Sequence, residues 1–182
     1  MTISLAGCAD TVAVGPPAAG KGGPGATSST GPTMIKIDER KPAPQVSGTT
    51  LDGRRIRLAD YRGKVVVLNF WASWCAPCRA EAEALERVYE ETKSNGVRFV
   101  GVNIKDGAQN ARAFARNYGI TYPSIYDQPG EVALAFRETV PPSAIPSTIV
   151  IDRQGRIAAK IIGPTTYSAL KPLVATIAAE SS

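Results

Sequence analysis

The sequence predicts an α/β fold, a central mixed β-sheet flanked by helices, on three observations. Residues 64–70 hold a nearly continuous apolar run, Val65-Val66-Val67-Leu68, the pattern of a strand covered on both faces as in a parallel core. A second buried run, Val97 to Val102, follows one helix-period stretch and precedes another. Farther on, Ser147–Ile151 and Ile157–Ile162 flank the turn residues Asp152-Arg153-Gln154-Gly155, so the chain folds back as an antiparallel hairpin.

Composition sets the bounds. The chain has 182 residues, enough for one domain with a full core and a tail. No stretch reaches the roughly eighteen apolar residues of a membrane span. The net charge of +5 is mild. The densest basic cluster, Arg54, Arg55 and Arg57, reads as solvated surface rather than a nucleic-acid site. There is no histidine, which excludes Ser-His-Asp and Cys-His catalytic arrangements.

The chain opens on Leu5-Ala6-Gly7-Cys8, which resembles a bacterial lipobox, where the cysteine becomes lipidated. Only seven residues precede Cys8, too few for a charged and an apolar region of a signal peptide. Residues 1–8 therefore read as a truncated signal remnant; the alternative is a chance match, with Cys8 a free thiol. Ala9 to Thr33 is almost wholly Gly, Pro, Ala, Ser, Thr and Val, with too little apolar bulk to offset the entropy of ordering. As a flexible chain that segment would reach about 25–30 Å; residues 9–41 are expected to form the tether, and 42–182 the folded domain.

Gln45-Val46 and Ile56-Arg57-Leu58 flank a segment carrying Asp52-Gly53, a strong turn pair that predicts a β-hairpin. Ala59–Gly63 reads as a turn or short helix. The central strand leads into a helix from about Cys75 to Lys93, stopped by Asn95-Gly96. At about 100° per residue, its buried face carries Cys78, Ala82, Leu85, Tyr89 and Thr92, with Val88 at the margin. A second helix presents Ala111, Phe114, Ala115 and Tyr118 at i, i+3, i+4, i+7. Tyr122–Tyr126 reads as a short strand, and Val132, Ala135 and Phe136 suggest a short helix. Pro146 directly precedes a strand, where no ladder donor is needed. Pro123, Pro141 and Pro142 read as turn residues. The last helix has Leu170, Leu173, Val174 and Ile177 on one face; Pro172 makes it start at Ala169 or kink.

The chemistry lies at Cys75-Ala76-Pro77-Cys78, where the buried strand turns into the first helix. A thiol at a helix start faces unpaired N–H groups and the positive end of the dipole. Both stabilise a thiolate, the nucleophile of disulfide exchange. Cys78 points inward and Cys75 is left at the exposed tip, so Cys75 reads as the attacking thiol and Cys78 as the resolving one. Pro77 suits a first-turn position that has no use for an N–H. A zinc site would want four N or S ligands, and only Cys8 remains to supply one. Haem attachment would want histidine where Arg79 stands. A purely structural bridge over two residues would constrain little. Glu81 lies about 60° from Cys78 on the helix wheel. There it must be paired or protonated, and desolvation raises its pKa; the alternative is a surface acid favoured by the helix dipole.

The run from Val65 through Asn69-Phe70-Trp71-Ala72-Ser73-Trp74-Cys75 to Glu81, with Ile145-Pro146-Ser147-Thr148, resembles the thioredoxin superfamily. Within it the chain is similar to the TlpA/ResA/DsbE-like extracytoplasmic thiol-disulfide oxidoreductases, over roughly Pro42 to Ala179. The resemblance implies a thioredoxin-like fold with an N-terminal β-hairpin and a TlpA/ResA-type insertion after the Val97–Val102 strand. It implies a cis Pro146 opposite the cysteines, with Ile145 pairing to substrate backbone and Trp74, Ala76 and Pro77 in the substrate-binding surface. It places Glu81 at the active site. Asn69 departs from the buried aspartate of the thioredoxins proper and cannot ionise. The function implied is disulfide exchange with cysteine-containing proteins outside the cytoplasm, without cofactor, metal or nucleic acid. The favoured task is reduction of apocytochrome c in cytochrome c maturation, with electrons from a membrane thiol carrier and a lipid anchor at Cys8 on the outer face of the cytoplasmic membrane. The alternatives are an oxidase in oxidative folding, a peroxiredoxin-like peroxidase and a Sco-like copper chaperone. The peroxidase lacks its Pro-x-x-x-Thr-x-x-Cys frame here. The chaperone lacks histidine, and Met1 and Met34 lie in or near the tail.

Overall fold

The computed structural model describes Thr2 and residues 31–180; Cys8 and most of the expected tether lie outside the described residues. Strand β4 (Val65–Trp71) is buried along its whole length because alternate side chains enter two different cores. Val65 and Val67 face a core shared with Leu85, Val88, Leu170 and Val174. Val66, Leu68 and Phe70 face the other, with Val102, Ile125 and Phe136.

The remaining elements are β1 (Thr33–Met34), β2 (Ser47–Thr49), β3 (Arg55–Arg57), α1 (Ala76–Thr92), β5 (Val97–Ile104), α2 (Ala108–Asn117), β6 (Ser124–Asp127), α3 (Glu131–Ala135), β7 (Ser147–Ile151), β8 (Ile157–Ile162) and α4 (Tyr167–Ala179). The main sheet runs β1-β8-β7-β4-β5-β6. β4, β5 and β6 are parallel; β7, β8 and β1 add antiparallel strands. This is the mixed sheet expected, a thioredoxin-like fold, with β6 and α3 in the insertion after β5.

Several boundaries move. The hairpin strands start closer to the turn than Gln45-Val46 and Ile56–Leu58, because Thr50 closes it by donating its N–H to Arg54 O at 2.8 Å. Gly53 supplies the positive φ of +86° that the turn needs. The expected strand at Tyr122 begins at Ser124, beyond Pro123, which has no N–H to pair. Tyr118 is not a core residue: it caps α2 and is 37% exposed, its ring tilted against Phe114 with centroids 4.6 Å apart. On α1 the buried residues are Cys78, Glu81, Ala82, Leu85, Val88 and Thr92, so Val88 and Tyr89 exchange the places expected of them. α4 packs along that side of α1, while Tyr89 is left half-buried beside Phe99 and Tyr122.

α4 starts at Tyr167, two residues before the expected Ala169. Thr166 caps it by accepting from Ala169 N–H at 3.3 Å, and Pro172 is accommodated inside the helix. Residues 33–41, expected within the tether, are packed on the domain. β1 pairs with Lys160 and Ala159 of β8. The buried Arg40 guanidinium bridges Asp152 at 3.2 Å and Glu180 at 2.5 Å. Ile145–Pro146 is the one cis peptide among the described residues. No helix among the described residues is long and apolar enough to cross a membrane.

Candidate active site

β4, an interior strand of the sheet, ends at Trp71, and the chain then passes through Ala72 and turns into α1. Cys75 is the N-cap, with extended backbone. Its sulfur accepts the Cys78 N–H at 3.2 Å, one of the donors a helix start leaves without an intrahelical partner. Cys75 and Cys78 are joined in a disulfide, with S–S 2.03 Å and Cα–Cα 5.3 Å. Cys75 is not at an exposed tip: it is 4% exposed. Its sulfur is bonded to the inward-facing Cys78, and both sit in a cluster with Trp71, Ala72, Ala82 and Phe114. Exposure passes instead to Ala76 and Pro77 of the first turn and to Trp74, which is 57% exposed. The Trp74 indole N–H is nonetheless engaged, donating to Lys105 O at 3.0 Å.

Glu81 is 1% exposed, which removes the alternative of a surface acid. Its Oε1 accepts from Asn69 Nδ2 at 2.9 Å and its Oε2 from Thr165 N–H at 2.8 Å. Asn69 also donates to Thr148 Oγ1 at 3.2 Å. Burial pushes the Glu81 carboxyl up to about 7, against the two hydrogen bonds, which pull it down. Among the described residues Glu81 makes no ion pair. A carboxyl held by neutral donors and titrating near neutrality can take or give a proton at physiological pH.

Ile145 packs against the cluster that holds both cysteines. Its N–H is donated to Ser143 O at 3.1 Å, and Pro146 O accepts from Gly163 N–H at 2.9 Å. The fold thus gathers Trp74, Cys75, Ala76, Pro77, Cys78, Glu81, Ile145 and Pro146 at one end of the sheet. Two groups escaped the sequence reading. Thr165 acts through its backbone N–H, which no side-chain pattern announces. Asp106 holds the loop before Cys75 from 33 residues away; the turn pair Asp106-Gly107 after a buried strand was the only local sign of it.

A model of the AhpC/TSA family matches residues 40–160. Thiol-disulfide oxidoreductase ResA of Geobacillus thermodenitrificans is 36% identical over 129 residues, 71% of this chain and 72% of that protein. ResA of Bacillus subtilis is 33% identical over 132 residues, 72% of each chain. Among solved structures, a secreted thiol-disulfide isomerase from Corynebacterium glutamicum superposes with a TM-score of 0.78 at 33% identity, covering 85% of this chain and 95% of that one. A DsbF homologue from Corynebacterium diphtheriae gives 0.76 at 37% identity, covering 86% and 97%.

Proposed function

Since the chain belongs to the AhpC/TSA family and is a thiol-disulfide oxidoreductase like its relatives, we propose that it reduces disulfides of partner proteins outside the cytoplasm, with Cys75 attacking and Cys78 resolving. The observation that carries this is the cysteine pair at the start of α1, with the Cys78 N–H on the Cys75 sulfur. In the reduced protein the same N–H favours the Cys75 thiolate. That thiolate attacks one sulfur of the client disulfide; the client S–S bond breaks, and the departing thiolate takes up a proton. The mixed disulfide is then attacked by the Cys78 sulfur, whose proton passes to a base. The second client thiol leaves, and the Cys75–Cys78 disulfide remains. Two electrons and two protons have moved to the client, and a separate dithiol must restore the enzyme.

Glu81 is the base we assign to the Cys78 proton. It lies one turn along the helix on the buried side, with no ion pair among the described residues to lock it in the ionised form. Trp74, Ala76 and Pro77 present the exposed surface beside the sulfurs. Ile145, whose carbonyl accepts no hydrogen bond among the described residues, would pair with an extended client segment as an added strand. Within this reading the client is apocytochrome c, the electron donor a membrane thiol carrier, and Cys8 a lipidated anchor that raises the local concentration of membrane-bound clients. The secreted relative from Corynebacterium glutamicum supports work outside the cytoplasm.

The test is a trap. Full-length Cys78→Ala, expressed in its native host, should accumulate mixed disulfides through Cys75, resolved by non-reducing electrophoresis and identified by mass spectrometry. Apocytochrome c or a membrane thiol carrier among the adducts is the expected result. A broad set of secreted cysteine proteins would reassign the enzyme to oxidative folding. Adducts that persist in Cys75→Ala/Cys78→Ala would overturn the exchange mechanism.

A further inference from the structure

The loop before the cysteines is gripped by the turn between β5 and α2. Asp106, 7% exposed, accepts from Ser73 N–H at 2.6 Å and from Ser73 Oγ–H at 2.8 Å. Its carboxylate also accepts from Asn103 Nδ2 at 2.9 Å and from Gly107 N–H at 2.8 Å. Four donors thus converge on one carboxylate, and no ion pair reaches it among the described residues. Its carbonyl takes the Tyr126 hydroxyl at 2.9 Å. The neighbouring Lys105 is the one non-glycine residue with positive φ among the described residues, at +47°, a conformation that surrounding contacts must hold. That turn aims the Lys105 carbonyl at the Trp74 indole. On the other side Arg79 donates to Ser73 O at 2.9 Å.

Ser73 is therefore fixed through its N–H, hydroxyl and carbonyl, and Trp74 by its only polar atom. Yet Trp74 leaves more than half of its surface to solvent. A side chain pinned so closely and buried so little gains little from its own packing. A fixed apolar face beside the disulfide fits a partner's side chains instead, because a preordered ring loses less entropy on contact.

We propose that Asp106 is a positioning residue for exchange with protein disulfides, holding Ser73 and, with Lys105, the exposed face of Trp74 in the orientation that docks the client beside Cys75. This inference rests on the disulfide-reducing function proposed above. It separates docking from chemistry: the sulfur chemistry needs α1 and its N-terminus, whereas docking of a polypeptide needs Trp74 as well.

The test compares two oxidants with the reduced protein, insulin and a small aryl disulfide that needs no docking surface. Asp106→Asn places an amide N–H₂ against donors that need an acceptor, and Ser73→Ala removes a single contact should the first variant fold poorly. The expected result is a loss of about tenfold or more in kcat/KM on insulin for Asp106→Asn, carried mainly by KM, with a clearly smaller loss on the aryl disulfide. Ser73→Ala should show the same asymmetry at lower amplitude. Acrylamide quenching of tryptophan emission should rise in both variants as Trp74 is released. Equal losses on the two oxidants, or no loss on insulin, would overturn the positioning role. A wild-type protein that reduces neither oxidant would instead defeat the proposed function itself.

Discussion

Asp152 and Glu81 are both carboxylates withdrawn from water, 2% and 1% exposed, at opposite ends of the same sheet. Asp152 follows β7 at the end remote from the cysteines. There it meets the Arg40 guanidinium at 3.2 Å and Arg156 at 2.9 Å, and accepts the Arg156 N–H at 2.8 Å. Glu81 lies at the cysteine end, where among the described residues it meets only neutral donors, Asn69 and the Thr165 backbone. The first arrangement sets full positive charges against the carboxylate. In the second, burial outweighs the two hydrogen bonds and lifts the carboxyl to about 7, so the proton's position depends on pH near neutrality. Similar burial therefore serves two ends: a clamp that ties the N-terminal segment to α4 through Glu180, and a proton site beside a redox pair.

The largest expected effect tests the clamp. Arg40→Met keeps bulk but leaves Asp152 and Glu180 without that cation. Breaking a buried pair costs about 3–5 kcal/mol, and Arg156 remains, so a loss of roughly 3 kcal/mol is expected. That corresponds to a fall of roughly 6–12 °C in Tm for a chain of this size, read by thermal denaturation. Exchange measured on the folded fraction should stay within about twofold of wild type. A large loss of exchange with Tm unchanged would erase the division between the two ends.

Glu81→Gln tests the other end. Its carboxyl sits at about 7 in the folded protein against an ordinary value of 4.5. The raised value means that the folded state binds the proton more tightly than the unfolded one. Its favourable contribution is present below about pH 4.5 and is lost as pH rises through about 7. Over that window Glu81 should weaken the fold by on the order of 3 kcal/mol. In Glu81→Gln that slope in Tm against pH should disappear, and the exchange–pH profile should lose a step near neutrality. Wild-type melts with no such slope, or an unaltered exchange profile in the variant, would return Glu81 to a purely structural role.

What the sequence disclosed, and what it did not, follows the range of the interactions. β4 and β5 were legible as apolar runs because both faces of each are covered. The hairpin turns were legible from Asp52-Gly53 and from Asp152 to Gly155, where Gly53 and Gly155 take φ of +86° and +78°. The cysteine pair was legible because cap, nucleophile and helix start are contiguous. The burial of Glu81 was half visible: the helical wheel placed it at the margin, and only the packing of α4 decides which margin is covered. β1 has two residues and no pattern of its own; β8 recruits it. Arg40 finds Asp152 and Glu180 across 112 and 140 residues, and no local signal encodes such a meeting. The exposure expected of Cys75 ignored the disulfide, which turns its sulfur inward.

The smallest expected effect concerns Asn69, which stands on β4 opposite Thr148. Its amide N–H on Glu81 Oε1 favours the ionised carboxylate and so opposes burial. In Asn69→Leu the volume is nearly kept and that donor is lost, while the Thr165 N–H stays in place. The Glu81 carboxyl should therefore move above its wild-type value of about 7, and the step in the exchange–pH profile should move up with it, by about one unit if the bond is worth ~1.5 kcal/mol. Stability should fall by about 1–2 kcal/mol, since Thr148 Oγ1 loses its donor as well. The step must shift rather than vanish, because the titrating group is still present; that is what separates this variant from Glu81→Gln. The readout is the pH dependence of insulin reduction by the two variants, measured beside their melts. A step that stays put would mean that Asn69 does not tune Glu81, and a step that moves down would mean that its amide presents oxygen, not nitrogen, to the carboxyl. Either result would break the contrast with Asp152, which depends on Glu81 being set by neutral donors alone.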